Sequence, residues 1–430
     1  MPTHQNPLAD VLDDLHDDRT TPTDYAESCL DRLDATEGDI RAFLPEEDRR
    51  ERVLDAAASL ENEHGDGDRP PLYGVPVAVK DIYHVDGFET RAGSSVPPEA
   101  LAGPQSDVVT ALLEAGALVF GKTVTAEFAY FEPGPTRNPH DLGHTPGGSS
   151  SGSAAAVAAG VTPLATGTQT YGSIVRPAAF CGIVGVKPSY DRIPMGGVFP
   201  VSESADHAGY FTQDVAGASE AAPVFYDDWD DVSPDEKPVL GVPDDAYLSQ
   251  ADDEMLAHYE DRLEDLRDAG YEVRRTDALA DVSTVYDRHD DMVSGEAALA
   301  HDELYAAYGD RYADSTAGLL ADGREVSVGR LVDCRNARRA LRDRLEATMD
   351  ETGVDAWVAP SAPGPAPEGI DSTGDPVMDT PWTHACVPAV GLPAGRVDGL
   401  PVGLQFVGGF GDDERLLAWC GGLESVLAAD

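Results

Sequence analysis

Thr168-Gln-Thr-Tyr-Gly-Ser173-Ile-Val-Arg-Pro-Ala-Ala-Phe-Cys-Gly182 is the stretch on which the reading of this 430-residue chain turns. Small residues and a Gly precede Ser173, so successive backbone N–H groups there can converge on one carbonyl oxygen. Two further stretches go with it. Gly74-Val-Pro-Val-Ala-Val-Lys80-Asp81 is an apolar strand candidate ending in a Lys, and Thr145-Pro-Gly-Gly-Ser149-Ser-Ser-Gly-Ser153 is a Gly/Ser loop. A Lys at the end of a buried strand loses solvation, which favours its neutral form and lets it act as a base. A Ser nucleophile, a Ser relay and a neutral Lys would make an acyl-transfer site without His. The competing reading is that the loops are turns and Lys80 a surface strand end.

Outward from these stretches the chain alternates helix and strand signals. Residues 1–65 read as helices, with Leu8, Val11, Leu12 and Leu15, then Tyr25, Cys29, Leu30 and Leu33, at helical spacing. Residues 61–71 read as a loop and 75–79 as a buried strand. Ser106 caps a helix bearing Val108, Val109, Leu112 and Leu113, closed by Gly116, and 117–120 is a second strand. Residues 132–153 read as a long loop, 154–159 as a small-residue helix and 182–188 as a strand. The stretch 221–350 is the most acidic. It holds a strand at 239–242, a helix with Met255, Tyr259, Leu263 and Leu266 on one face, and a strand at 271–273. Three short apolar strands follow at 355–360, 388–394 and 402–408. The alternation predicts an α/β fold around a central sheet.

The charge narrows the function. With 30 basic and 79 acidic residues the formal charge is −49, which excludes a non-specific nucleic-acid binder and disfavours an anionic membrane surface. No apolar run approaches the length of a membrane span. The start, Met-Pro-Thr-His-Gln-Asn, lacks a basic-then-apolar leader, so the expected location is cytoplasmic. Lys80, Lys122, Lys187 and Lys237 are the only Lys, the other basic residues being Arg. Such an acid excess with so little Lys predicts adaptation to molar salt, where screening shortens charge repulsion to a few Å. Cys29, Cys181, Cys334, Cys386 and Cys420 are scattered and read as buried thiols, with no metal-like cluster.

Two literal motifs are decoys. Gly116-Ala-Leu-Val-Phe-Gly-Lys122-Thr123 fits a phosphate loop, but a helix precedes it and its spacer reads as a strand, the reverse of what that loop needs. Gly148-Ser-Ser150-Ser-Gly152 fits a nucleophile elbow, with His384 as one of several partners in reach of a Ser-His-Asp reading. The Pro-rich residues before it offer no strand to carry the Ser.

The three stretches of the opening resemble the amidase signature family. So do Gly185-Val-Lys187-Pro188 and the tail Trp382-Thr383-His384, Pro388-Ala389 and Gly399-Leu-Pro-Val-Gly-Leu-Gln405, all in matching order and together covering about residues 5–425. The resemblance implies a three-layer α/β/α sandwich around a large mixed sheet, in one domain over 1–430. Its parts would be N-terminal helices (1–65), a signature core (66–220), a variable pocket part (221–350) and completing strands (351–430). It implies Ser173 as nucleophile, Ser149 with a cis peptide bond as relay, and Lys80 as base. It also implies an oxyanion hole from the backbone of Thr170, Tyr171, Gly172 and Ser173, and supporting or substrate-binding roles for Gln169 and for Ser150, the latter bonded within its own loop. The implied reaction is hydrolysis of a small-molecule amide with no metal or cofactor and no direct nucleic acid. A homodimer stays open. The alternative is the A subunit of a tRNA-dependent amidotransferase, which would have partner subunits. Residues 131–144 and 221–350 would line the pockets. The sequence departs from the commonest pattern at Gln169, where an Asp is usual, at Tyr171 and Ser151, where Gly is usual, and at Arg176, one position late.

Overall fold

The computed structural model describes residues 3–64 and 67–428. Ten strands form one sheet: β1 (Pro76–Lys80), β2 (Leu118–Thr123), β3 (Leu164–Gln169), β4 (Val184–Lys187), β5 (His207–Thr212), β6 (Leu240–Val242), β7 (Val273–Arg275), β8 (Ala356–Pro360), β9 (Ala389–Val397) and β10 (Leu400–Val407). Their order is β2-β1-β3-β5-β4-β9-β10-β8-β6-β7. The sheet is mixed. β1 runs parallel to both β2 and β3, pairing is antiparallel from β3 to β8, and β8, β6 and β7 are parallel again.

Strand alternation sorts the core into two layers. In β1, Val77 and Val79 join one apolar cluster and Ala78 the other, the two-residue period of a strand buried on both faces. The second cluster includes Ala154–Ala159, with Leu30, Leu33, Phe120 and Phe211. Helices therefore cover both faces of the sheet.

Several boundaries differ from expectation for local reasons. The helix Arg49–His64 takes in 61–64, expected as loop, and Glu61 there accepts the backbone N–H of Thr23 at 2.6 Å. Residues 65 and 66 of that expected loop lie outside the described residues. The small-residue helix starts at Ser151 rather than 154 and ends at Ala158. Composition alone places its Gly152 in the loop. In the fold the Gly152 N–H donates to Val124 O at 2.9 Å, and a Cβ there would stand 2.1 Å from Ala42 O. Glycine is thus required by close backbone approach. Ser106 occupies the N-cap position of Asp107–Glu114 with extended backbone, but its hydroxyl makes no capping bond. β3 and β5 are strands beyond those expected. The acidic stretch folds largely as helices, among them Asp253–Asp268, Val282–Ala300, Asp314–Glu325 and Val328–Thr352. Among the described residues no helix is long and apolar enough to cross a membrane.

Candidate active site

β1, β2 and β3 are parallel, so their C-terminal ends share one edge of the sheet, the usual place for a ligand crevice in such folds. Lys80 ends β1 and Gln169 ends β3. The Gly/Ser loop crosses above them. Ala126 N–H donates to Ser149 O at 3.1 Å, and Arg176 Nη2 donates to Gly148 O at 2.7 Å. The Gly148–Ser149 peptide bond is cis.

Lys80 is fully buried, which rules out a surface strand end. Its Nζ lies 2.8 Å from Ser149 Oγ and 2.7 Å from Thr168 Oγ1. Burial pushes this amine well below its usual range, and the Asp206 carboxylate opposes the shift. Asp206 is itself pushed up to about 6 by burial, although the Thr170 hydroxyl (2.6 Å) and the Val201 and Ser202 amides donate to it. The neighbouring Asp81 is turned away from Lys80. Its Oδ1 is 2.8 Å from Lys122 Nζ in a buried ion pair that lacks hydrogen-bond alignment. Burial raises Asp81 and lowers Lys122 within that pair. Lys122 is thus a structural ion-pair partner on β2 and not part of a phosphate loop.

Ser173 lies between β3 and the helix Val175–Cys181 and is 6 % exposed. Among the described residues its hydroxyl has no hydrogen-bond partner, so Lys80 and Ser149 touch while Ser149 and Ser173 do not hydrogen-bond. The amides of Thr170, Tyr171, Gly172 and Ser173 likewise meet no acceptor among the described residues.

Gln169 spends its side-chain amide on bonds within the protein. It is 1 % exposed. Its Oε1 accepts from Ile174 N (2.8 Å) and Val175 N (3.0 Å), and its Nε2 donates to Thr383 Oγ1 (2.9 Å). Ser150 does not bond within its own loop as expected. Its Oγ meets the backbone O and N of Thr168 on β3, both at 3.3 Å. Tyr171 is not among the residues at positive φ, so a side chain where Gly is usual adds no left-handed backbone strain. Its ring packs edge-on against His289, 4.6 Å between centroids. Beside it opens a cavity of about 580 Å³, lined among others by Tyr130, Phe131, Tyr286, Asp290 and Asp375. Of the expected wall 131–144 only Phe131 reaches this cavity, while residues 375–377 and Thr380 form an unforeseen wall.

His384 serves no Ser-His-Asp set. Its Nδ1 faces His289 Nδ1 at 3.2 Å, and burial pushes His384 down to about 2 and His289 to about 4. No group of three or more His, Cys, Asp or Glu suited to a metal occurs among the described residues. Sequence reasoning missed Thr168, Asp206, His289 and the role of Thr383. Thr168 becomes legible only once β3 is known: Thr166 and Thr168 share one face of that strand, and both bond to Lys80.

A family model described as Amidase matches residues 24–417. Similar curated proteins include the A subunit of the glutamyl-tRNA(Gln) amidotransferase of Koribacter versatilis, 31% identical and covering 96% of this chain and 97% of the relative. Its counterpart in Symbiobacterium thermophilum is 33% identical, with 92% of each chain covered. Among solved structures, a crystal structure of an amidase superposes with a TM-score of 0.87 at 34% identity, over 97% of this chain and 99% of the other. The native peptide amidase of Stenotrophomonas maltophilia gives 0.84 at 26% identity, over 99% and 97%.

Proposed function

The chain belongs to the amidase signature family, and on that premise we propose that it hydrolyses a carboxylic amide to the acid and ammonia or an amine through an acyl-Ser173 intermediate. The observation that carries this reading is the fully buried Lys80, its Nζ 2.8 Å from Ser149 Oγ. Ser173 Oγ attacks the amide carbonyl and passes its proton through Ser149 to the neutral Lys80 amine. The oxyanion rests on backbone amides of the run Thr170, Tyr171, Gly172 and Ser173. The proton returns through Ser149 to the leaving nitrogen, and water then repeats the sequence to release the acid. The missing Ser149–Ser173 hydrogen bond is expected to close when substrate fills the site, since catalytic contacts commonly tighten in the substrate complex.

The test is liberated ammonia from a panel of acetamide, hexanamide, benzamide, nicotinamide and glutamine in about 3 M KCl. Turnover of a simple amide by the isolated chain supports the reading; none for any member sinks it. A second reading, the A subunit of a tRNA-dependent amidotransferase, is favoured by the names of the curated relatives. It predicts that glutamine alone is turned over, and only when partner subunits copurify.

The proposed working environment is a salt-rich cytoplasm, motivated by the −49 charge. The Debye length grows from about 3 Å at 1 M salt to about 10 Å at 0.1 M, so self-repulsion reaches across the acidic surface in dilute buffer. The melting midpoint is expected to be higher in about 3 M than in about 0.1 M KCl. An equal or higher midpoint in dilute buffer rejects the adaptation.

A further inference from the structure

The two peptide groups whose N–H bonds belong to Tyr171 and Gly172 have their carbonyls at Thr170 and Tyr171. Both carbonyls accept hydrogen bonds from buried side chains. Thr170 O faces His289 Nε2 at 2.9 Å, and Tyr171 O accepts from Thr383 Oγ1 at 2.6 Å. The hydrogen-bond directions are fixed by elimination. Gln169 Oε1 takes two backbone N–H groups, so its Nε2 must be the atom donating to Thr383. The single Thr383 proton then goes to Tyr171 O at 2.6 Å in preference to Asp379 O at 3.2 Å. Thr170 O can only accept, so His289 Nε2 carries the proton. In a neutral ring His289 Nδ1 is then bare and accepts from His384 Nδ1 at 3.2 Å. That leaves His384 Nε2 without a proton, and it is buried with no partner among the described residues.

We propose that Thr383, set by Gln169, and His289, set by His384, are positioning residues that orient and polarise two of the peptide groups of the oxyanion hole, those whose N–H bonds belong to Tyr171 and Gly172. A carbonyl that accepts a hydrogen bond makes the N–H of its own peptide a stronger donor, because linked bonds polarise one another. Thr383 and His384 lie on one short helix, Thr380–His384. That helix therefore reaches both peptides, one directly and one through His289. The arrangement also gives a use for Gln169. A carboxylate there would accept the Ile174 and Val175 amides equally well but has no proton to give Thr383.

The inference rests on the proposed hydrolysis at Ser173, and its test separates the two. Thr383→Val, Thr383→Ser and Gln169→Glu are compared with wild type, using the fastest amide of the panel, the melting midpoint, and inhibition by phenylboronic acid as a tetrahedral adduct former. One lost oxyanion donor costs about 10²–10³ in kcat, so weakening one should cost roughly tenfold. Thr383→Val and Gln169→Glu are expected to show that loss in kcat with KM and melting midpoint little changed. Phenylboronic acid affinity should fall in step, and Thr383→Ser should behave as wild type. Gln169→Glu keeps the acceptor for the nucleophile turn, so it isolates the donor even if Thr383→Val folds poorly. A Ser173-dependent rate that Gln169→Glu leaves unchanged, or a loss that falls on KM alone, overturns the proposal without touching the assignment of Ser173.

Discussion

Ser173→Ala is expected to lower kcat by roughly four to six powers of ten while leaving the fold intact, the scale seen when a Ser nucleophile is deleted. The stability half of the expectation follows from the structure. Among the described residues the Ser173 hydroxyl has no hydrogen-bond partner, so its removal strands no buried donor or acceptor, the usual source of a large cost. The kinetic half follows from position. Ser173 ends a run of four consecutive amides, Thr170 to Ser173, that meet no acceptor among the described residues, just before the helix Val175–Cys181. Ser150, the elbow decoy, spends its hydroxyl on the Thr168 backbone. The measurements are kcat on the best amide of the panel and the melting midpoint of the purified variant. A folded variant that retains a rate within tenfold of wild type removes Ser173 from the chemistry.

The parts legible in the sequence are those set by local pattern. The apolar run into Lys80 reads as a buried strand because both faces of β1 are covered. The Gly/Ser motif is readable because glycines such as Gly152 stand where backbone leaves no room for a Cβ. β3 is invisible because Leu-Ala-Thr-Gly-Thr-Gln has neither alternation nor a β-branched apolar run. It is a strand because small residues let neighbours close on it: a Cβ at Gly167 would stand 2.5 Å from the Phe211 ring. The partners of the site are hidden for a different reason. Asp206, His289 and Thr383 lie from 33 to 210 residues beyond Ser173, and only the fold brings them to residues 169–171. The same distance hides Thr383 as a partner of Gln169, whose other partners, Ile174 and Val175, follow it closely in the chain; all three are buried.

Lys80→Ala is expected to cost roughly 10²–10⁴ in rate, the range for a positioned base, and to remove one limb of the pH–rate profile. An unperturbed Lys would be neutral in only about 1 part in 2,500 at pH 7. Burial without an adjacent carboxylate lowers the Lys80 pKa well below that reference, since Asp81 faces Lys122 and only Asp206 opposes the shift. The rate should therefore rise with pH through the depressed Lys80 ionisation and level off well short of about pH 10. Lys80→Arg should rescue nothing, because Arg stays protonated. Linkage supplies an independent check. A Lys neutral when folded but protonated when unfolded makes the unfolded state bind more protons, so its burial destabilises the fold most at low pH. The cost fades as pH climbs from the depressed folded value to the unfolded one near about 10.4. Lys80→Met, which fills similar space without a charge, should thus melt above wild type at neutral pH, with the gap closing towards about pH 10. Activity lost together with stability gained is the signature of a base held neutral by burial. A Lys80→Arg variant with wild-type turnover near neutral pH, or a Lys80→Met variant whose stability gain does not depend on pH, would place the base elsewhere.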